Sequence, residues 1–229
     1  MNQKLKYSVI KVFIAPFLFG LVMWIVKLTE NACEFSFNDY GVLPRKISGL
    51  KGVLLSPFIH GDIEHLINNT LPIIMLGGAL CFFYKKNYKE IFLWLFLTSG
   101  ILLWGIGRNQ TFSHDGLPSG LVFHIGASGV IYALASFIFF SGLLSNNKRL
   151  SAMSLIVIFI YGSLFWGLLP INPGISWEGH LSGFIAGIII AWFFRKEGPK
   201  RKKYQWEIDE ELEAIEKERI KIIYEYKEK

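Results

Sequence analysis

The residues of this sequence best suited to chemistry are a serine between glycines, a histidine followed by spaced glycines, and a histidine–asparagine pair four positions apart. Ser128 lies in the stretch His-Ile-Gly-Ala-Ser-Gly-Val-Ile-Tyr-Ala-Leu from His124 to Leu134, flanked by Gly126, Ala127 and Gly129. Such small neighbours let other backbones come close, which suits either tight helix packing or an accessible nucleophile. His180 opens the run His180-Leu-Ser-Gly183-Phe-Ile-Ala-Gly187, where glycines one turn apart permit a second helix to approach. His65 and Asn69 fall on one helical face and point two hydrogen-bonding side chains the same way.

Together these groups would make an acyl-transfer site. A serine hydroxyl is a weak nucleophile until a base takes its proton, and neutral His180 is the natural base near pH 7. The oxyanion of a tetrahedral intermediate needs donors, for which Asn69 Nδ2, a His65 nitrogen and the Ser128 backbone N–H are candidates. Tyr132, one turn beyond Ser128 on the same face, can pack on the imidazole and hold its rotamer. No acid is expected within the spans that carry Ser128 and His180, so a dyad is the expected form rather than a Ser-His-Asp triad. Each residue also has a plainer reading. Ser128 with Ala127 and Gly129 can be the small side of a packing seam, Asn69 interhelical glue, and His180 a ring bonded to a carbonyl.

The elements that must position these groups are membrane helices. The 229 residues are 52% hydrophobic and 18% charged, and the mean hydropathy is +0.39, too apolar for a soluble domain of this length. Charge-poor runs of roughly the 20 residues needed to cross a bilayer give six spans. They are placed at about 9–28, 60–84, 88–107, 126–145, 150–169 and 177–194, with Pro16 and Pro72 inside the first two. Basic residues cluster at Lys4, Lys6 and Lys11, at Lys85, Lys86 and Lys89, at Lys148 and Arg149, and from Arg195 to Lys203. The opposite connections mix Lys27, Arg45, Lys46, Lys51 and Arg108 with Glu30, Glu34, Asp39, Asp62, Asp115 and Glu178. The positive-inside rule then puts both termini in the cytoplasm, as expected of a multi-pass protein of a bacterial inner membrane. Ser128, His180 and the His65/Asn69 pair fall at matching depth, in the first turns inside the outer surface of spans four, six and two.

The remaining features are bounded more simply. The first segment has a basic start like a signal peptide but no convincing small-x-small cleavage site, and it is read as a retained helix. The net charge of +6 lies in short loops beside the spans, which speaks for topology and against a nucleic-acid partner. Cys33 and Cys81 fall near opposite faces, so no internal disulfide is expected, and neither belongs to a zinc-type cluster. External residues 29–59 carry Val53, Leu54, Leu55, Phe58 and Ile59, and should lie in or on the outer leaflet. External residues 108–125 are polar and deliver the chain to Ser128. After residue 195 the composition changes. Ile208, Leu212, Ile215, Ile222 and Tyr226 recur at three- and four-residue steps, predicting an amphipathic cytoplasmic helix over 205–227 interrupted by Arg219. Three readings of this tail stay open: self-association with a second copy, docking on the membrane through Lys200–Lys203, or a solvated tail.

Three of these motifs resemble the rhomboid family of intramembrane serine proteases. Gly126-Ala-Ser128-Gly-Val-Ile-Tyr132 resembles its Gly-x-Ser-Gly motif with the following tyrosine, and His180-Leu-Ser-Gly183-Phe-Ile-Ala-Gly187 its His-x-x-Gly-x-x-x-Gly motif. His60-x-x-x-x-His65-x-x-x-Asn69 resembles its second-helix signature. The resemblance implies Ser128 as nucleophile, His180 as general base, His65 and Asn69 at the oxyanion, Tyr132 stacked on the histidine, and Gly183 allowing helices four and six to meet. It also implies a first loop embedded in the membrane and substrates that are single-span transmembrane proteins. The first loop departs from the common pattern, because residues 29–59 hold no Trp-Arg pair.

The expected fold is therefore an all-α membrane protein. A six-transmembrane-helix rhomboid-like bundle would occupy residues 1–195, and a charged tail with its extra cytoplasmic C-terminal helix residues 196–229. The expected activity is serine-type endopeptidase cleavage of transmembrane helices near the outer side of the bilayer. No metal and no cofactor is expected. The sequence lacks H-E-x-x-H, and His60-Gly-Asp-Ile-Glu64-His65 has the wrong spacing for the inverted form. G-x-S-x-G, the mark of an α/β-hydrolase elbow, is also missing around Ser128. A catalytically inactive membrane-helix binder or chaperone on the same fold is the alternative. A transporter or channel finds no support in repeats or in paired intramembrane charges.

Overall fold

The structure is a computed structural model that describes residues 3–112, 118–145, 151–152, 155–156, 159, 166–171, 174, 176–198 and 205–227. Two compact units divide at Lys200. The first is a helical body. Its helices are α1 (Gln3–Ala32), the short α2 (Lys51–Leu55), α3 (Ile63–Phe83), α4 (Tyr88–Ile106), α5 (Ser128–Leu144) and α6 (Trp177–Phe193). The second unit contains α7 (Gln205–Lys227).

Stretches within α1, α3 and α4 are long and apolar enough to cross a bilayer, at Lys11–Ala32, Ile63–Phe83 and Tyr88–Ile106. The α5 and α6 helices are equally apolar in character but have 17 residues each, at the short end of the spanning range. The fifth expected span, 150–169, lies largely outside the described residues, as do Lys148, Arg149 and Lys200–Lys203. Helix α1 extends beyond the expected 9–28 at both ends. The expected second span starts three residues early: His60, Gly61 and Asp62 precede α3, and the Asp62 carboxylate caps it by accepting the His65 N–H at 2.7 Å.

Helix α5 is the hub. It packs most extensively on α6 and also meets α3 and α4, while α1 lies along α3 and α4 along α6. Because helices surround it, α5 is apolar on every face, and Val130 through Ile138 are all buried. Its contact with α6 depends on small residues. A Cβ at Gly183 would run into the Gly129 carbonyl oxygen, and one at Gly187 into Ser136 Oγ and, at 2.5 Å, the Ala133 carbonyl oxygen. Such close backbones let Ser136 Oγ–H reach across to the Phe184 carbonyl at 3.0 Å. The α1–α3 crossing is similar, with Gly77 against Pro16 and Gly78 against the Phe13 ring.

The first long connection is folded against the body through short 3-10 turns and α2. Lys27 and Glu30 form a buried pair at 3.2 Å; Lys27 Nζ also donates to the Gly61 carbonyl at 2.9 Å, and Glu30 accepts the Phe37 N–H at 2.7 Å. Arg45 donates to the carbonyls of Gly105 and Gly107 at the end of α4, where a cation complements the helix terminus. The second long connection contains an antiparallel pair of strands, β1 (Gln110–Phe112) and β2 (Pro118–Leu121). Cys33 and Cys81 are both free thiols.

Candidate active site

Ser128 is the first residue of α5, and the turn before it is built by glycine. Gly126 has φ +103°, a backbone region that side-chain-bearing residues rarely adopt. A Cβ there would also lie 2.7 Å from His65 Cε1 and 2.8 Å from His65 Nε2, so glycine is what lets the His65 ring lie beside this turn. The turn is pinned by the Gly126 N–H donating to the Ser56 carbonyl at 2.9 Å and the Ala127 N–H reaching His60 Nε2 at 3.5 Å. The N-cap of α5 is Ala127, whose methyl group cannot accept a hydrogen bond. The helix therefore begins with the Ser128 and Gly129 N–H groups at its positive end, the arrangement that receives an anion or a developing oxyanion.

Helix α3 brings the paired donors to the same turn. Asn69 is 4% exposed, and its Nδ2 gives one hydrogen to the His65 carbonyl at 3.1 Å, which leaves the second for a ligand. His60 and His65 meet edge to face at 5.0 Å between centroids.

Helix α6 supplies the imidazole. His180 is 8% exposed and lies flat on Tyr132, with ring centroids 4.3 Å apart and planes at 12°. Its Nδ1 is 2.8 Å from the Gly167 carbonyl oxygen. A carbonyl can only accept, so Nδ1 carries the hydrogen and Nε2 keeps a lone pair. A ring held on one face by a phenol and at one nitrogen by a carbonyl is fixed in rotamer and tautomer without a carboxylate. His65, Asn69, Ser128, Tyr132, Gly167 and His180 line one cavity of about 780 Å³.

The structure thus gathers the sequence-predicted residues on three packed helices: His65 and Asn69 on α3, Ser128, Gly129 and Tyr132 on α5 with Gly126 just before it, and His180 and Gly183 on α6. One expectation changes. Glu178, read as one of the external acids although the expected bounds 177–194 enclose it, lies inside α6 and is buried, 3.6 Å from Arg108 through Oε1, so an acid does stand on the helix that carries His180. It is the Gly167 carbonyl that holds His180 Nδ1. Sequence reasoning missed Gly167 because a backbone carbonyl has no residue-type signature, and gave His60 and His124 no role. His124 was in plain view beside the Gly-Ala-Ser-Gly run.

The family model described as "Rhomboid domain" matches residues 48–197. The chain belongs to the rhomboid family. The matched residues contain every candidate site residue and leave α1 and α7 outside. Among relatives, this rhomboid is 30% identical over 187 residues to an uncharacterized protein of Mycobacterium tuberculosis, covering 80% of this chain and 75% of that one. It is 28% identical over 204 residues to an uncharacterized protein of Mycobacterium leprae, covering 88% and 77%. It is 24% identical over 166 residues to RHOMBOID-like protein 4 of Arabidopsis thaliana, covering 66% of this chain and 38% of the plant protein. Family and apolar helices together make this rhomboid an integral membrane protein, and point to intramembrane proteolysis or a related function.

Proposed function

We propose that this rhomboid is an intramembrane serine endopeptidase that cleaves single-span transmembrane substrates near the outer side of a bacterial inner membrane, with both termini cytoplasmic. The observation that carries the reading is the His180 ring, stacked on Tyr132 and bonded through Nδ1 to the Gly167 carbonyl, in the cavity that Ser128 also lines. That geometry leaves Nε2 as the base. Nε2 takes the Ser128 proton as Oγ attacks the scissile carbonyl, and the oxyanion is received by the Ser128 N–H, Asn69 Nδ2 and His65. The imidazolium then protonates the departing amine, and water resolves the acyl-enzyme by the reverse sequence. A substrate helix must unwind locally to present a bare carbonyl, so Gly or Pro near the scissile bond favours cleavage.

The test uses the full chain in lipid nanodiscs with a single-span reporter. Wild type cleaves it, while Ser128→Ala and His180→Ala, inserted to the same level, do not. Cleavage that persists in either variant overturns the assignment. Reporter binding without cleavage by wild type would identify a helix-binding protein instead.

A further inference from the structure

The connection between α4 and α5 reaches the candidate base through His124. Its main chain pairs both ways with Val42 of the first long connection, each N–H to carbonyl distance being 2.9 Å. Its buried ring uses both nitrogens, Nε2 at 2.8 Å from the Arg108 carbonyl oxygen and Nδ1 against Ser176 Oγ. Because a carbonyl only accepts, Nε2 carries the hydrogen and Nδ1 receives the Ser176 hydroxyl hydrogen. Ser176 is the N-cap of α6: its Oγ accepts the Gly179 N–H at 3.2 Å, and its carbonyl accepts the His180 N–H at 3.2 Å. A directed chain of hydrogen bonds therefore runs from the end of α4, through one histidine ring, to the first turn of the helix that bears His180. Beside it, the buried Glu178 carboxylate faces the Arg108 guanidinium at 3.6 Å, a second tie between the same two ends.

We propose that His124, acting through Ser176, is a positioning residue for His180: it fixes the first turn of α6 to the end of α4 and to the first connection, and so sets where the imidazole stands in the cavity. The catalytic consequence rests on the protease reading above; the positional one does not. Loss of the ring removes the Ser176 hydroxyl's acceptor and one of the ties between the two ends, leaving the Arg108–Glu178 contact and the packing of α4 on α6.

The experiment follows the histidine rings of the full chain by ¹⁵N NMR in nanodiscs, with His180→Ala assigning the His180 signals, alongside fluorophosphonate labelling of Ser128. In His124→Ala and in Ser176→Ala the His180 signals shift or double, and labelling slows by about tenfold or more. Ser176→Thr, which keeps a hydroxyl as cap and donor, restores both readouts. The double variant is no worse than either single one, because both break the same chain. Trp24→Phe, which removes the Trp24 Nε1–Thr70 Oγ1 bond at 3.1 Å between α1 and α3 together with part of the ring, moves neither readout. The proposal is overturned if the His180 signals are unchanged in His124→Ala, or if Trp24→Phe moves them equally. If His124→Ala does not insert, Ser176→Ala against Ser176→Thr decides. If wild type is not labelled, the protease reading falls while the ring signals still decide the positioning.

Discussion

At the scale of residues, the site assigns different work to glycines of the same type. Gly126 supplies a backbone angle and room for His65, whereas Gly167 supplies a carbonyl to His180 Nδ1 and room for Tyr132. Gly126→Ala puts a side chain into a strained angle costing about 1–3 kcal/mol and into the His65 ring, so reporter cleavage should be lost while insertion persists. Gly167→Ala places a methyl group against the Tyr132 hydroxyl and 2.7 Å from His180 Nδ1. Cleavage should fall by at least about a hundredfold, read as kcat with little change in KM, because the base moves and not the substrate site. Equal kcat in Gly167→Ala and wild type would show that the carbonyl does not orient the ring. Tyr132→Phe keeps the stack and should retain most activity, and Tyr132→Ala should not. As candidates, the two histidines and the asparagine stood out in the sequence because their types are rare in apolar runs, Ser128 because of its small neighbours, and their three- and four-residue spacings fix faces. Depth and face are one-dimensional properties. The Gly167 carbonyl and the Glu178–Arg108 pair were not legible, since they depend on how separate helices rotate against each other.

At the scale of elements, α5 and α6 are bound by the absence of side chains. Gly183→Val would force the backbones apart at Gly129, and Gly187→Val at Ser136, breaking the Ser136–Phe184 bond. Either should lower the thermal midpoint in nanodiscs by the several degrees that a few kcal/mol represents, and Gly183→Val should also abolish cleavage. A midpoint unchanged in both would contradict the packing described. The connection held by His124 should respond to pH. Burial keeps its imidazole below the ordinary value of 6.5, against the opposing effects of the Arg108 carbonyl and the Glu178 charge. A ring that stays neutral in the fold takes its proton more readily in the unfolded chain, so stability falls as pH drops through 6.5 and below. His124→Gln, which does not titrate, should flatten that decline in a chemical-denaturation series between pH 7 and 5. Among the described residues, helix positions followed from apolar run lengths, but the antiparallel pairing of β1 and β2 and the short turns of the first connection did not. Their residues follow no period, and what fixes them is bonding to other elements, as Arg45 bonds the end of α4.

At the scale of the whole molecule, chemistry and packing need the same residues. The small side chains that let α6 reach α5 also carry His180 to the cavity beside Ser128, so the packing and nucleophile readings of the Gly-Ala-Ser-Gly run describe one arrangement. α7 belongs to a separate compact unit outside the family match. Removing residues 200–229 should therefore leave labelling of Ser128 unchanged, and a loss of labelling would mean the tail supports the site. The central claim is that Ser128 is a nucleophile activated by His180. Its most direct test is mass-spectrometric mapping of the fluorophosphonate adduct on the full chain in nanodiscs. The account predicts one adduct, on Ser128, that disappears in His180→Ala; no adduct on Ser128, or one that forms equally without His180, would contradict it.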